Sequence, residues 1–213
     1  MSETDEPKSS HKVEQTDYFK TRVAVFLAPI PAEILGRTEK IALSVGLTQN
    51  TKILDVGTGT GALIAHFLGA SVKPENIVGL DLTDAMLENA RARFPKVHFI
   101  CGDVLEVDKV VEGQPVHVLR QYDAVFFNAC FGNLFDQQLA LEKTSKLLRE
   151  NGSIVISHPL GSRFVKSLHE SDPSIVPFSL PDRMQLDSWA KLLNLKVAEF
   201  TDEKDFYLAR LQK

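Results

Sequence analysis

Three glycines at alternate positions, Gly57, Gly59 and Gly61, constrain this chain more than any other feature. Before them, Ile53, Leu54 and Val56 make the short apolar run of a strand covered on both faces. After them, Leu63, Ile64, Phe67 and Leu68 recur at helical spacing. The stretch reads as buried strand, tight turn and helix start. Glycine lets a backbone bend sharply and approach a ligand with no Cβ in the way. The free N–H groups of the helix start then face whatever sits on the turn. Asp55, at the carboxyl end of the strand, places a negative charge there, which suits a cationic amine better than a phosphate.

The rest of the chain repeats that rhythm. A helix is expected after Pro31, with Ile34, Thr38, Ile41 and Val45 on one face. Further strands are expected at 76–81, 97–100, 122–127 and 153–157, the last entered through an Asn151-Gly152 turn. Between them, Thr83 is a candidate N-cap for a helix stopped by Pro95, and Asp136 for the next. A variable stretch with Gly113 and Pro115 leads into the fourth strand. Strands alternating with helices imply right-handed crossovers and a parallel sheet. The end departs from this pattern. After a helix with Trp189 and Leu192, 196–200 and 206–211 read as strands joined by too few residues for a crossover, so they must be antiparallel. The expected fold is α/β: a doubly wound, mostly parallel seven-stranded sheet with a C-terminal antiparallel hairpin and helices on both faces.

The length of 213 residues suits one such domain, 18–213, behind a flexible polar tail over 1–17. The tail lacks the apolar stretch of a secretory signal. No apolar run approaches the ~20 residues that cross a bilayer. A net charge of −4 gives no reason to expect a nucleic-acid partner. With only two cysteines, Cys101 and Cys130, no disulfide framework is implied, and we expect buried thiols in a reducing, cytoplasmic setting.

The dinucleotide fingerprint spaces its glycines G-x-G-x-x-G. Here the third comes one residue early and an acid precedes the loop. Asp55-Val56-Gly57-Thr58-Gly59-Thr60-Gly61 resembles the first motif of the class I S-adenosylmethionine-dependent methyltransferases. The resemblance extends from about Pro31 to the C-terminus, through Asp81-Leu82, Gly102-Asp103-Val104 and Asn128 at successive strand ends. It implies S-adenosylmethionine as cofactor and S-adenosylhomocysteine as product. It also implies a binding set of Asp55, Gly57, Thr58, Gly59, Gly61, Asp81, Leu82, Met86, Gly102, Asp103, Val104 and Asn128. Asp81 would accept from the ribose hydroxyls and Leu82 pack on adenine. Asp103 would accept from the adenine amino group, the Val104 N–H donate to a ring nitrogen, and Asn128 lie near the methionine end. No metal is implied.

The reaction implied is in-line displacement at the sulfonium methyl, where the main task is alignment with water excluded. After the fourth strand, Asn128-Ala129-Cys130-Phe131 lacks the two prolines of the amine and amide methylases, so adenine or glutamine is not supported as acceptor. A small-molecule acceptor is expected, a protein acceptor stays open, and oligomeric state does not follow. His158, just past the fifth strand, is the candidate base or acceptor-orienting group. His66 and His98 are expected to be structural, and His169-Glu170 a surface pair. Segment 158–185, an irregular excursion over the same rim, would roof the acceptor pocket with Tyr18 and Phe19. Phe131, Phe164 and Phe178 would line it, with Arg22, Arg163 and Arg183 as candidate carboxylate partners. Two alternatives stand: an NAD(P)-dependent oxidoreductase, since Asp81 would hold its ribose equally well, and a methyltransferase-like interaction module without turnover.

Overall fold

A computed structural model describes residues 5–110 and 121–213. The stretch with Gly113 and Pro115 lies outside the described residues. Seven strands form one sheet: β1 (Ile53–Val56), β2 (Ile77–Asp81), β3 (His98–Cys101), β4 (Tyr122–Asn128), β5 (Leu148–His158), β6 (Lys196–Glu203) and β7 (Phe206–Gln212). Their order is β3-β2-β1-β4-β5-β7-β6. The first five are parallel to their neighbours, whereas β7 runs antiparallel to both β5 and β6. The order in which strands are added reverses between β1 and β4, which remain parallel, so the carboxyl ends of β2, β1 and β4 border a crevice of the kind that binds ligands in open α/β sheets.

Alternation along the strands divides the core into two layers. Leu54, Val56, Val125, Phe127, Ile154 and Ile156 face one side, where α7 (Gln137–Ser145) and α9 (Arg183–Leu192) cover them. Ile53, Ile77, Ala124, Phe126 and Val155 face the other, against α3 (Ala32–Ala42), α4 (Ala62–Gly69) and α5 (Asp84–Arg93). On that side Phe67 of α4 and Phe126 of β4 are both fully buried, with ring centroids 4.9 Å apart. Such a pair fixes helix against strand, and truncating either ring to alanine costs about 3–5 kcal/mol.

Asp136 caps α7 by accepting from Leu139 N at 2.9 Å, as its position suggested. Thr83 stands at the N-cap of α5, but its side chain makes no capping bond. Asn151-Gly152 does not begin β5. It lies inside it, as an irregularity in register between Tyr122↔Leu148 and Ala124↔Ser153, with Asn151 at φ 64°.

Three expectations are corrected. From residue 5 the polar tail is helical, as α1 (Asp5–Lys20), and the short α2 (Val23–Leu27) follows it. A mean polar composition hid the one face that docks. Segment 158–185 is not irregular throughout, because Gly161–Ser171 form helix α8, with Val165 buried. Only the stretch punctuated by Pro173, Pro177 and Pro181 lacks regular structure, as prolines without an N–H dictate. Cys101, expected to be buried, is exposed at the tip of the outermost strand. Beyond these, α6 (Val107–Val110) follows a turn at the end of β3. Among the described residues no helix is long and apolar enough to cross a membrane.

Candidate active site

The first motif folds as its glycines require. Gly57, at φ 65°, adopts a backbone conformation that side chains disfavour, and a Cβ there would stand 2.6 Å from that of Cys130. The N–H groups of Gly57 and Thr58 both donate to Leu80 O, at 2.8 and 3.1 Å, which pins the loop onto β2. Gly61, at φ 85°, is the left-handed N-cap of α4 and abuts Phe94. It does not reach the cavity described next, so its part is to shape the turn. A Cβ on Gly59, by contrast, would meet nothing within 4 Å, because that residue looks onto open space.

That space is a cavity of about 1030 Å³ along the carboxyl edge of the sheet. It gathers Asp55, Gly57, Thr58, Gly59, Asp81, Leu82, Met86, Gly102, Asp103, Val104, Asn128 and His158 on one wall system. Every residue of the expected set except Gly61 is therefore brought together. The volume lies at the upper end of the range for small-molecule sites.

The acids differ in state. Asp55 is 2% exposed and accepts from Thr58 Oγ1 at 2.6 Å. Burial pushes its carboxyl up to about 7, against the pull of the Thr58 bond and with a further push from Asp81. Asp81 also sits above the usual carboxylate range through burial, opposed by backbone N–H groups. Its Oδ2 accepts from Gly59 N at 2.8 Å and its Oδ1 from Thr83 N at 2.9 Å. Asp103 Oδ1 caps the following turn through Leu105 N at 2.9 Å. Among the described residues no cation pairs with Asp55 or Asp81. A buried carboxylate and a half-buried one, neither with a counter-charge, face a cavity beside an open glycine and fit a cationic nucleoside such as S-adenosylmethionine. No cluster of metal ligands occurs among the described residues.

The neighbouring end of the cavity is built on β4 and β5. Ser157 Oγ donates to Asn128 Oδ1 at 3.1 Å and fixes that amide. His158 follows, buried, its ring 5.3 Å from that of Phe164 of α8. Phe164 lines the cavity as expected, but Phe131 is core, packed on Phe127, and Phe178 lies outside. Of the three arginines only Arg22 reaches the wall, stacked 3.6 Å over the Tyr18 ring, whereas the solvent-facing Arg183 pairs with Asp187. His169 is half-buried, its Nδ1 donating to Val176 O at 2.7 Å, and so braces a loop instead of forming a surface pair.

Helix α1 supplies what the sequence reading missed. Gln15, 4% exposed, donates to Ile175 O, and the His11 ring lies between Asn133 O (2.8 Å) and Ser174 O (3.1 Å). These bonds lay the helix across the cavity, whose wall also includes Tyr18 and Phe19. The available signal was spacing: residues 11, 15 and 18 share one helical face.

Comparison with known proteins agrees with this geometry. A family model described as a methyltransferase domain matches residues 47–200, and the chain belongs to that family. Its sheet is that of the class I S-adenosylmethionine-dependent methyltransferases. A methyltransferase-like protein of Schizosaccharomyces pombe is 28% identical over 64% of this chain and 49% of its own length. The malonyl-[acyl-carrier protein] O-methyltransferase of Priestia megaterium is 30% identical over 57% of this chain and 41% of its own. The chain thus spans about half the length of the curated relatives it matches, or less. Among solved structures, magnesium protoporphyrin IX methyltransferase from Synechocystis PCC 6803, with bound SAH, superposes with TM-score 0.67 at 12% identity, over 95% of this chain and 99% of that one. A complex of the Haloferax volcanii Trm112 methyltransferase activator with a methyltransferase gives 0.71 at 16% identity, over 93% and 96%.

Proposed function

We propose that this protein transfers the methyl group of S-adenosylmethionine to a small-molecule acceptor. One observation carries the reading: polar groups from the ends of β1, β2, β4 and β5, and from the turn after β3, converge on one cavity around two carboxylates, Asp55 buried and Asp81 half-buried, that have no counter-charge. S-adenosylmethionine, when bound, supplies a methyl group already activated on a sulfonium. The chain's own tasks are then to hold, align and exclude water. In this reading Asp81 holds the ribose, Asp103 and Val104 read the adenine edge, and Leu82 and Met86 pack against its ring. Asp55, Gly57, Thr58, Gly59 and Asn128 flank the amino-acid portion, and Gly61 shapes the turn. His158 stands where an acceptor would meet the methyl.

The relatives supply no acceptor for this chain. One is an O-methyltransferase and another, from Campylobacter jejuni, a C-methyltransferase of ubiquinone and menaquinone biosynthesis. Against the oxidoreductase alternative stand the glycine spacing and the antiparallel β6–β7 edge. A thermal-shift titration separates the two. S-adenosylhomocysteine should raise the melting temperature in proportion to the logarithm of its concentration, while NAD and NADP leave it unchanged. A rise with the dinucleotides and none with S-adenosylhomocysteine would reverse the assignment.

A further inference from the structure

His158 is 8% exposed and lines the cavity. The backbone N–H of Leu160 donates to its Nδ1 at 3.1 Å. An N–H donor requires a lone pair, so Nδ1 is unprotonated and the ring proton of the neutral imidazole sits on Nε2. Among the described residues no hydrogen bond engages Nε2. An N–H that opens onto the cavity with no protein partner is a donor free to meet a ligand atom. Burial also holds the imidazole down at about 4, so the ring stays neutral and donating at neutral pH.

The same tautomer disqualifies His158 as a base, since Nε2 already carries a proton and Nδ1 is occupied. Other ionisable groups on the acceptor side are committed as well. Asp172 accepts from Ser174 Oγ and from Ile175 N. The Cys130 thiol donates to Val56 O and is pushed upward by burial and by Asp55. The His11 ring donates to one of two backbone carbonyls that flank it, which fixes it at the seam between α1 and the loops that carry Asn133 and Ser174. Apolar side chains, Phe19, Val25, Leu134, Phe164 and Ile175 among them, make much of the remaining wall, while Lys8 and Lys12, which also line the cavity, pair with Glu106. Arg22, at the same wall, favours an anion over a cation.

We propose that His158 is the hydrogen-bond donor that holds the methyl acceptor, and that the acceptor is an apolar carboxylic acid bound as its carboxylate. This rests on the methyl-transfer reading above. A carboxylic acid, with a pKa of roughly 4, arrives ionised and needs no base. One carboxylate oxygen accepts from Nε2–H while the other attacks the methyl carbon. A C–O bond forms and the C–S bond breaks, its electron pair passing to sulfur. The products are a methyl ester and the neutral thioether of S-adenosylhomocysteine, and no proton moves. The step joins an anion and a cation into two neutral products, which an apolar chamber favours. An alcohol would need a base, and a protonated amine would need one too and meet Arg22.

The test uses the full chain saturated with S-adenosylhomocysteine. Nitrogen NMR should show His158 as the Nε2–H tautomer, with that resonance shifting when octanoate is added. Calorimetry should find octanoate bound about tenfold or more tighter than octanol or octylamine. His158→Ala should erase the preference, and His158→Gln, whose amide N–H reaches a similar point, should keep most of it. S-adenosylhomocysteine affinity should stay within about twofold in both variants, which shows that they fold. An Nδ1–H tautomer, or octanoate binding no tighter than the alcohol and the amine, overturns the proposal and leaves the methyl-transfer reading intact. Failure of S-adenosylhomocysteine to bind the unaltered protein removes that reading, and this inference with it.

Discussion

Asp81 and Gly59 are joined by a 2.8 Å hydrogen bond from the loop's backbone N–H to the carboxylate Oδ2, which ties the tip of β2 to the glycine turn. A carboxylate oxygen has more than one lone pair, so the same group can hold the turn and still accept from a ligand hydroxyl. Asp81→Ala removes both roles. Charge-assisted hydrogen bonds contribute ~1.5–3 kcal/mol each, so S-adenosylhomocysteine affinity should fall at least about tenfold by calorimetry. Asp81→Asn should fall between the two, because its amide oxygen retains part of the accepting capacity. Unchanged affinity in the alanine variant would remove Asp81 from the binding set.

Gly57 and Cys130 predict a stability effect. Gly57→Ala forces a left-handed residue with a side chain and brings two Cβ atoms to 2.6 Å. A loss of about 1–3 kcal/mol is expected, read as a lower melting temperature. Combining it with Cys130→Ala should not restore stability, since the opposing Cβ remains. Full recovery in the double variant would place the conflict at the sulfur instead.

If Asp55 flanks the cofactor as proposed, binding of S-adenosylmethionine is expected to depend on pH. In the ligand-free protein its carboxyl titrates near 7, so it is partly protonated under neutral conditions. A bound cation favours the ionised form and expels that proton. Affinity for S-adenosylmethionine should therefore rise from pH 5 to 8 and then level off, with proton release visible when calorimetry is repeated in buffers of different ionisation enthalpy. Stability of the free protein has the opposite sign. The folded value lies above the unfolded one, so the Asp55 contribution is complete below the unfolded carboxylate range and is lost as pH rises to about 7. Asp55→Asn should gain stability relative to the unaltered chain over that interval, and should abolish the proton release. A flat difference across it would place the titration elsewhere.

Gln15 holds α1 over the cavity through Ile175 O, and the His11 ring sits between two further backbone carbonyls, of which a neutral imidazole can bond one. Gln15→Ala leaves Ile175 O without that partner and should loosen the helix, not the sheet. Hydrogen exchange should quicken across residues 5–20, with little change in the strands. Equal acceleration in β1 and β4 would mean that α1 belongs to the cooperative core.

What could be read beforehand follows from how local each signal is. The β1 turn, Asp81 and the β6–β7 hairpin announce themselves within a few residues, through glycine spacing, strand ends and a connection too short for a helix. The positions of Gly61 and Phe131 were less accessible. Gly61 closes the first motif and Phe131 follows Asn128 by three residues, but whether each faces the cavity or the core depends on its packing against Phe94 and Phe127, which only the fold sets. Helix α1 escaped because its contacts are polar and remote: a glutamine reaching a carbonyl 160 residues away leaves no mark in composition. The role proposed for His158 turns on one nitrogen, which required coordinates for Leu160 N.

The row order β5-β7-β6 has a consequence for how the molecule is made. β6 touches the sheet only through β7, yet it is synthesised first, so it has no template to bind when it emerges. It must wait for β7, and until β7 docks the flank of β5 stays open to other chains. For a ribosome-borne molecule, that raw margin is an exposed pairing edge, and a chaperone covering it would shield a surface that β7 hides in the finished domain.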